Sequence, residues 1–540
     1  MRKNDRPKGQ PLFSVKKISM IHLILILSLF LSILGIWWGL PSHRGWAADE
    51  IIPSEVLDGI NHQFFSNNWY GKYPPFHYYL LSFIYVPFLI LDQLNFLNIS
   101  SLPAYTGLFY LGRFLSVLMG TVLVFLVYKC GQEIYDRRSS LFAALMTALI
   151  VPFVYYSKMT NLDVPYIFWF ILSLYFFLRI LKTHQTRDYL LFSLTAVLSI
   201  CTKDQAYGLY VLAPLVIIFS DWMRKKKTKK HLSLFHSLWD RNYLIPLLLA
   251  ILLFVIVQNI FFNAPGFIMH FKLIFGPLSK DYQVYERSFS GYMDLLWQTL
   301  RQIQFSLGWP LFLLSALGLL ISLFQKKKNL ILLSLLVFPV SYYLFYISII
   351  LYNYDRFNIP VCIVLSFFGG KCLSDWIGDK QKFFKLKILL LATVFAYTFF
   401  YSFSVDLMMV KDSRYPAEKW IKENIDREAV IAVATHQEYA PRLAGYKWFR
   451  LVGPLKTLER SELPDYVLFN ANYSRRFAAH TPEHELYYQF SRKEIIYKLV
   501  FRHKSKSPWI LLNCQNIATN LASINPEIFL FKRVGSRKIP

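Results

Sequence analysis

Residues 76–94 read FHYYLLSFIYVPFLILDQL, and whether this stretch crosses a bilayer decides on which side every later loop lies. It approaches the roughly 20 apolar residues that span a hydrocarbon core as a helix. Several features argue against a crossing. The stretch opens after Pro74-Pro75, is rich in interfacial tyrosine, and leads into 95–106, which contains no Lys or Arg. Charge supplies the count. Arg2, Lys3, Arg6, Lys8, Lys16 and Lys17 hold the N-terminus in the cytoplasm, and the basic loop 129–138 belongs there too. An even number of crossings must separate them, yet apolar segments lie at 19–40, 76–94 and 108–128. One fails to cross, and 76–94 is read as a juxtamembrane or re-entrant helix on the outer side.

From that assignment the rest follows. Spans near 140–157, 164–181, 189–201, 206–222, 244–262, 305–325, 330–351, 358–376 and 388–405 place the basic runs 224–230, 326–328 and 380–387 inside. The expectation is an all-α polytopic membrane protein of about 11 transmembrane helices plus outer juxtamembrane helices. Residues 1–18 form a cytoplasmic basic N-terminus, and 19–405 the membrane domain, with a first outer loop at 41–106. The first apolar run has no small-residue cleavage site after it and is read as an uncleaved span. Residues 406–540 carry charge of both signs, a helical signal at 416–424 and strand-like runs at 430–434, 466–470, 509–512 and 528–531. They are read as a small extracytoplasmic α/β domain.

With 55% hydrophobic residues the chain does not divide into soluble domains. The formal charge of +26 does not indicate nucleic acid, because much of it lies in short runs beside apolar segments. Cys130, Cys201, Cys362, Cys372 and Cys514 show no CxxC or zinc spacing, and four lie in or beside spans as small apolar filler.

The chemistry is sought at the outer ends of spans. The first outer loop carries Trp46, the adjacent acids Asp49 and Glu50, then Trp69, Tyr70, Lys72, Tyr73, Pro74, Pro75 and His77. Asp49 suits a general base with Glu50 orienting it or holding a cation; equally, both acids suit the start of a juxtamembrane helix. Lys72, before the stiff Pro-Pro pair, suits a phosphate contact, or snorkelling toward the interface. Asp163 precedes Pro165 at another outer end, where an N-terminal helix cap is the plainer alternative. Lys203, His270, Lys272, Tyr354 and Arg356 occupy further outer loops. Each is weak alone, but five loops bring acids and bases to one side. The sequons at Asn98 and Asn472 arise easily by chance.

Asp49-Glu50, followed by Lys72-Tyr73-Pro74-Pro75, resembles the polyprenyl-phosphate-sugar-dependent glycosyltransferases of the GT-C fold. Protein O-mannosyltransferases and lipid A aminoarabinose transferases are the most similar in pattern, with an acidic pair in the first outer loop and a (Lys/His)-Pro-Pro segment. Arg113, Asp163 before Pro165, and Tyr354-Asp355-Arg356 also fit that layout. The resemblance covers roughly 19–405. Gly71 departs from it, standing where the aminoarabinose branch has an acid, and Tyr73 separates Lys72 from the prolines.

The resemblance implies a hexosyl- or pentosyltransferase with a polyprenyl-phosphate-linked sugar as co-substrate and a lipid, glycan or protein as acceptor. It implies a bacterial inner membrane enzyme working by one inverting displacement, with Asp49 as general base. Glu50 and Asp163 would be the other catalytic residues, and Lys72, Arg356 and Lys203 would hold the donor phosphate. Tyr70, Tyr73, His77, Arg113, His270 and Tyr354 would contact the substrates. A divalent metal is left open. The alternatives are a lipid-linked sugar transporter or flippase, and an oligosaccharide transferase or glycan polymerase. A transporter should show internal repeats and mid-membrane charges, and no repeat is evident.

Overall fold

The computed structural model describes residues 19–228, 240–275, 283–378, 383–452, 463–474, 482–491, 497–506, 512, 514 and 517–534. The basic N-terminus, parts of the runs 224–230 and 380–387, and all but Leu512 of the expected strand 509–512 lie outside the described residues.

Seven helices among the described residues are long and apolar enough to cross a membrane: Leu102–Ile134, Asp163–Thr183, Asp204–Lys226, Phe289–Phe324, Leu330–Ile350, Asp355–Ile377 and Phe384–Asn424. The chain is an integral membrane protein. Four of the eleven expected crossings fall on shorter or broken elements. The segment 19–40 is helical only as α1 (Met20–Ile33), because Gly35 and Gly39 adopt positive φ and turn the chain. The segment 140–157 is divided between α5 (Arg137–Ala148) and α6 (Val151–Tyr156), with Pro152 suited to the new first turn. The segment 189–201 lies in the 17-residue α8 (Thr186–Thr202), and 244–262 overlaps the short apolar helix Arg241–Val257.

The helices approach closely where small residues allow it. A β-carbon on Gly370 would lie 2.7 Å from the backbone nitrogen of Ala143, and one on Gly318 would lie 2.2 Å from the carbonyl oxygen of Phe368. Backbone-to-backbone packing of this kind is how helices associate where lipid offers no hydrophobic drive. Their outer faces carry exposed Leu247, Leu248, Trp309, Leu313 and Leu317, which belong in hydrocarbon rather than water.

The loop 41–106 contains α2 (Pro53–Asn61) and α3 (Phe76–Gln93). α3 is not among the seven long apolar helices. It folds back on the first turns of α4 (Leu102–Ile134): Leu81 and Tyr85 bury with Leu108, and Gly107 faces the Phe88 ring. α4 has 33 residues, a length of about 50 Å against a core of about 30 Å.

The helix Phe384–Val410 runs on through Asp406, and the chain then forms the helix Arg414–Asn424 and a five-stranded sheet. Its strands are β1 (Val430–Val433), β2 (Lys447–Arg450), β3 (Tyr466–Asn470), β4 (Tyr497–His503) and β5 (Ile528–Arg533), in the order β2-β1-β3-β5-β4. β1 is parallel to β2 and β3, and β5 is antiparallel to β3 and β4. The central β3 is buried on both faces, as the period of two predicts for a covered strand. Leu468 meets Ala417 and Ile421 of the preceding helix, while Val467 and Phe469 join Leu486 and Phe490 of the helix Pro482–Ser491.

This sheet domain sits on the loops around the first-loop acids. Arg414 lies over Trp46 at 4.2 Å and over Trp38 at 5.0 Å, and Arg442 lies over Trp46 at 5.3 Å. Arg442 also donates to the Leu40 carbonyl. Thr519 donates to Asp355 at 2.7 Å. The loops carrying Asp49 and Arg356 are therefore both roofed by the same domain.

Candidate active site

Asp49 occupies the loop between α1 and α2 with φ +61, the left-handed region that a short polar side chain tolerates better than most. Both of its carboxylate oxygens are engaged. Lys72, from the loop before α3, donates to Oδ1, and Arg356 Nη1 donates to Oδ2 at 2.8 Å. Arg356 lies in the one-turn helix Asp355–Asn358, which opens the helix Ile359–Ile377.

Asp163 begins α7 (Asp163–Thr183), and Lys203 follows α8. Lys203 Nζ donates to Asp163 Oδ1 at 2.6 Å, and Arg356 Nε stands 4.0 Å from Asp163 Oδ2. The order Lys72, Asp49, Arg356, Asp163, Lys203 thus forms one ionic array, three cations against two carboxylates. Tyr73 lies beneath it, its ring 5.4 Å from the Lys72 ammonium and 5.8 Å from that of Lys203. Asp163 Oδ2 and Arg356 Nε are buried without a hydrogen-bond partner among the described residues.

The electrostatics follow from that arrangement. Burial alone pushes the Asp49 carboxyl up, but Arg356 and Lys72 together outweigh it and hold the group well below the ordinary carboxylate range. Burial lowers Lys203 to about 8 although Asp163 opposes the fall, and Arg356 adds to it. For Lys72, burial is outweighed by Tyr73 and Asp49, and the ammonium is strengthened.

Glu50, expected among the catalytic residues, and Arg113, expected to contact substrate, are paired with each other. Arg113 grips Glu50 with a two-pronged contact, Nε to Oε1 and Nη2 to Oε2, each 2.8 Å, and neither side chain is exposed. Arg113 Nη1 also donates to the carbonyls of Ile36 at 2.6 Å and Trp38 at 2.9 Å, and Thr160 N donates to Glu50 Oε1 at 3.0 Å. Glu50 bonds to none of the atoms of Asp49. A buried carboxylate needs a paired cation, and Arg113 supplies it to Glu50 while Lys72 and Arg356 supply it to Asp49. The pair of Glu50 and Arg113 pins the loop that bears Asp49.

The remaining candidates divide. Tyr354 lies 5.4 Å under the Arg356 guanidinium. His270, on the helix Ala264–Phe275, meets the Gly71 carbonyl at 3.0 Å and Asp204 at 3.2 Å, so it braces the Lys72 loop. Tyr70 is exposed and, with Trp69, Gly71, Tyr73, Pro75 and His270, borders an open cavity of about 290 Å³. His77 is fully buried, neither ring nitrogen has a hydrogen-bond partner among the described residues, and burial pushes it down to about 3.

Sequence reasoning noted Trp46 without a role and missed Arg414, Arg442 and Asn161. Asn161 Nδ2 donates to the Asp49 carbonyl at 3.2 Å. A tryptophan three residues before the acids, and an arginine just past the last span, were the available signals. Among the described residues no three His, Cys, Asp or Glu side chains gather as metal ligands. Asp49, Glu50 and Asp163 each already hold a cationic side chain, so this donor set does not fit a metal ion.

The model of the dolichyl-phosphate-mannose-protein mannosyltransferase family matches residues 109–239, which include Arg113, Asp163 and Lys203 but not Asp49, Lys72 or Arg356. No curated protein matches the sequence. Among solved structures, ArnT from Cupriavidus metallidurans in the apo state aligns over 96% of this chain and 99% of its own, at 11% identity and a TM-score of 0.48. The oligosaccharyltransferase AglB from Archaeoglobus fulgidus, in complex with an inhibitory peptide and a dolichol-phosphate, aligns over 96% and 88%, at 12% and 0.46. The S. cerevisiae protein O-mannosyltransferase complex Pmt1-Pmt2, bound to the sugar donor, aligns over 46% and 35%, at 17% and 0.34.

Proposed function

We propose that this protein is a membrane glycosyltransferase that moves a sugar from a polyprenyl-phosphate donor to an acceptor hydroxyl on the extracytoplasmic face. The observation that carries the proposal is the array of Lys72, Arg356 and Lys203 around Asp49. Three cations from separate loops converge at one level beside a carboxylate. A donor of this kind has its tail in lipid and its phosphate at the interface, where these cations stand. The family model over 109–239 supports the same class.

In this mechanism Asp49 takes the proton of the acceptor hydroxyl as the oxygen attacks the anomeric carbon from the face opposite the phosphate. Lys72, Arg356 and Lys203 neutralise the charge that grows on the departing phosphate, a contribution of several kcal/mol in a partly dry site. Asp163 holds Lys203 and faces Arg356, and so sets the positions of two of those cations rather than touching the sugar. The side of the membrane follows from the basic loops, with α3 and the first turns of α4 as an outer hairpin and the sheet domain above it. The bacterial inner membrane suits this layout.

The test is transfer by purified full-length protein from a polyprenyl-phosphate sugar to envelope glycolipids, read by mass spectrometry. Asp49→Asn is expected to lower the rate by at least about a hundredfold; near wild-type transfer would remove Asp49 as the base. Mass spectrometry of the transferred unit separates single-sugar from oligosaccharide transfer.

A further inference from the structure

Two of the three cations that the proposed mechanism aims at the donor phosphate are held by the proposed base. Lys72 is bound to one oxygen of Asp49 and Arg356 to the other. A general base works best when its affinity for a proton matches the operating pH. A carboxylate clasped between an ammonium and a guanidinium is far from that condition, and the low proton affinity of Asp49 reflects it.

We infer that Lys72 and Arg356 are shared counter-ions, held by Asp49 until a donor arrives and then drawn to its phosphate, so that donor binding is what makes Asp49 a competent base. The inference rests on the donor-phosphate site proposed above.

The geometry allows such an exchange. The Lys72 side chain is 56% exposed on a loop, which leaves its ammonium room to move from Asp49 to an incoming anion. Arg356 keeps an Nε without a hydrogen-bond partner among the described residues, facing Asp163 at 4.0 Å. It can turn toward an anion while Asp163 and the Tyr354 ring keep it in place. Tyr73, Glu55, Tyr156, Asp163, Lys203 and Asp355 also interact with Asp49 or its two cations, as do the Tyr166 and Tyr346 hydroxyls through Arg356.

The reaction sharpens the exchange. The acceptor oxygen forms its bond to the anomeric carbon while the bond from that carbon to the phosphate oxygen breaks, and the electron pair stays on the phosphate. The acceptor proton passes to Asp49. The phosphate thereby gains one negative charge, and its pull on Lys72 and Arg356 grows as Asp49 needs to hold a proton. The donor should therefore bind before the acceptor hydroxyl is activated.

The experiment is titration calorimetry of geranyl phosphate into the full-length protein in detergent. Asp49→Asn removes the competitor for both cations, and is expected to tighten binding on the order of tenfold to a hundredfold. Near pH 5, in buffers of different ionisation enthalpy, the wild type is expected to take up more protons on binding than Asp49→Asn does. Lys72→Met and Arg356→Met are expected to weaken binding about tenfold or more. Unchanged affinity in Asp49→Asn, or equal proton uptake, with Lys72→Met still weakened, overturns the inference and leaves the phosphate site standing. Wild-type affinity in both Lys72→Met and Arg356→Met overturns the phosphate site itself. Asp49→Ser repeats the comparison if the asparagine variant lowers the melting temperature.

Discussion

Arg113→Met probes the part of the site that is built rather than reactive. The substitution leaves Glu50 with no cation in a position that has no exposure, and strips the carbonyls of Ile36 and Trp38 of their shared donor. Breaking a buried pair from one side costs about 3–5 kcal/mol. Unfolding entropy is about 2.1 cal/mol/K per residue, so for 540 residues unfolding as one unit, a loss of about 4 kcal/mol lowers the melting temperature by about 4 °C. The assay is thermal unfolding of the purified protein in detergent, followed by size-exclusion fluorescence, for Arg113→Met, Glu50→Gln and the double variant. If the two groups matter through each other, the double variant recovers at least about 1 kcal/mol relative to the sum of the single variants. A melting temperature for Arg113→Met within 1 °C of wild type, or strict additivity in the cycle, would refute the account of Glu50 and Arg113 as a buried clasp.

Two further outcomes follow from the same geometry. Lys203 is held at about 8, so it carries its charge below that pH and loses it above; the KM for donor is expected to rise as pH passes from about 7 to 9, and Lys203→Arg should remove that rise. A donor KM flat across this range in the wild type, measured by initial rates, counts against Lys203 as a phosphate contact. Trp46→Leu takes away the ring on which Arg414 and Arg442 rest, contacts worth about 1–2 kcal/mol each when desolvated. It is expected to lower kcat about tenfold with donor affinity little changed, and steady-state kinetics separate the two.

Much of the architecture is legible because hydropathy is a local property. The segments later seen as Asp163–Thr183, Leu330–Ile350 and Asp355–Ile377 declare themselves by length and apolar content alone. In the tail, short apolar runs found β1 at 430–433, β3 at 466–470 and the start of β5 at 528. β2 escaped because Lys447, Trp448 and Arg450 are exposed on an edge strand and show no buried face. Spans near 19–40 and 140–157 looked continuous because composition does not register a glycine at positive φ or a proline that restarts a helix.

The sequence by itself determined that this is a membrane protein with a polar loop after its first apolar segment, and it drew attention to Asp49, Lys72, Asp163, Lys203 and Arg356 as end-of-span residues. Only the tertiary structure decided their partners. Asp49 and Glu50 are neighbours in the chain, yet one joins Lys72 and Arg356 and the other joins Arg113. The physical reason is that a pattern along the chain reports which residues tolerate lipid. Which buried charges meet depends instead on how separate helices stack, and Arg356, 307 positions further along the chain, reaches Asp49 only because the intervening helices fold back to the same face.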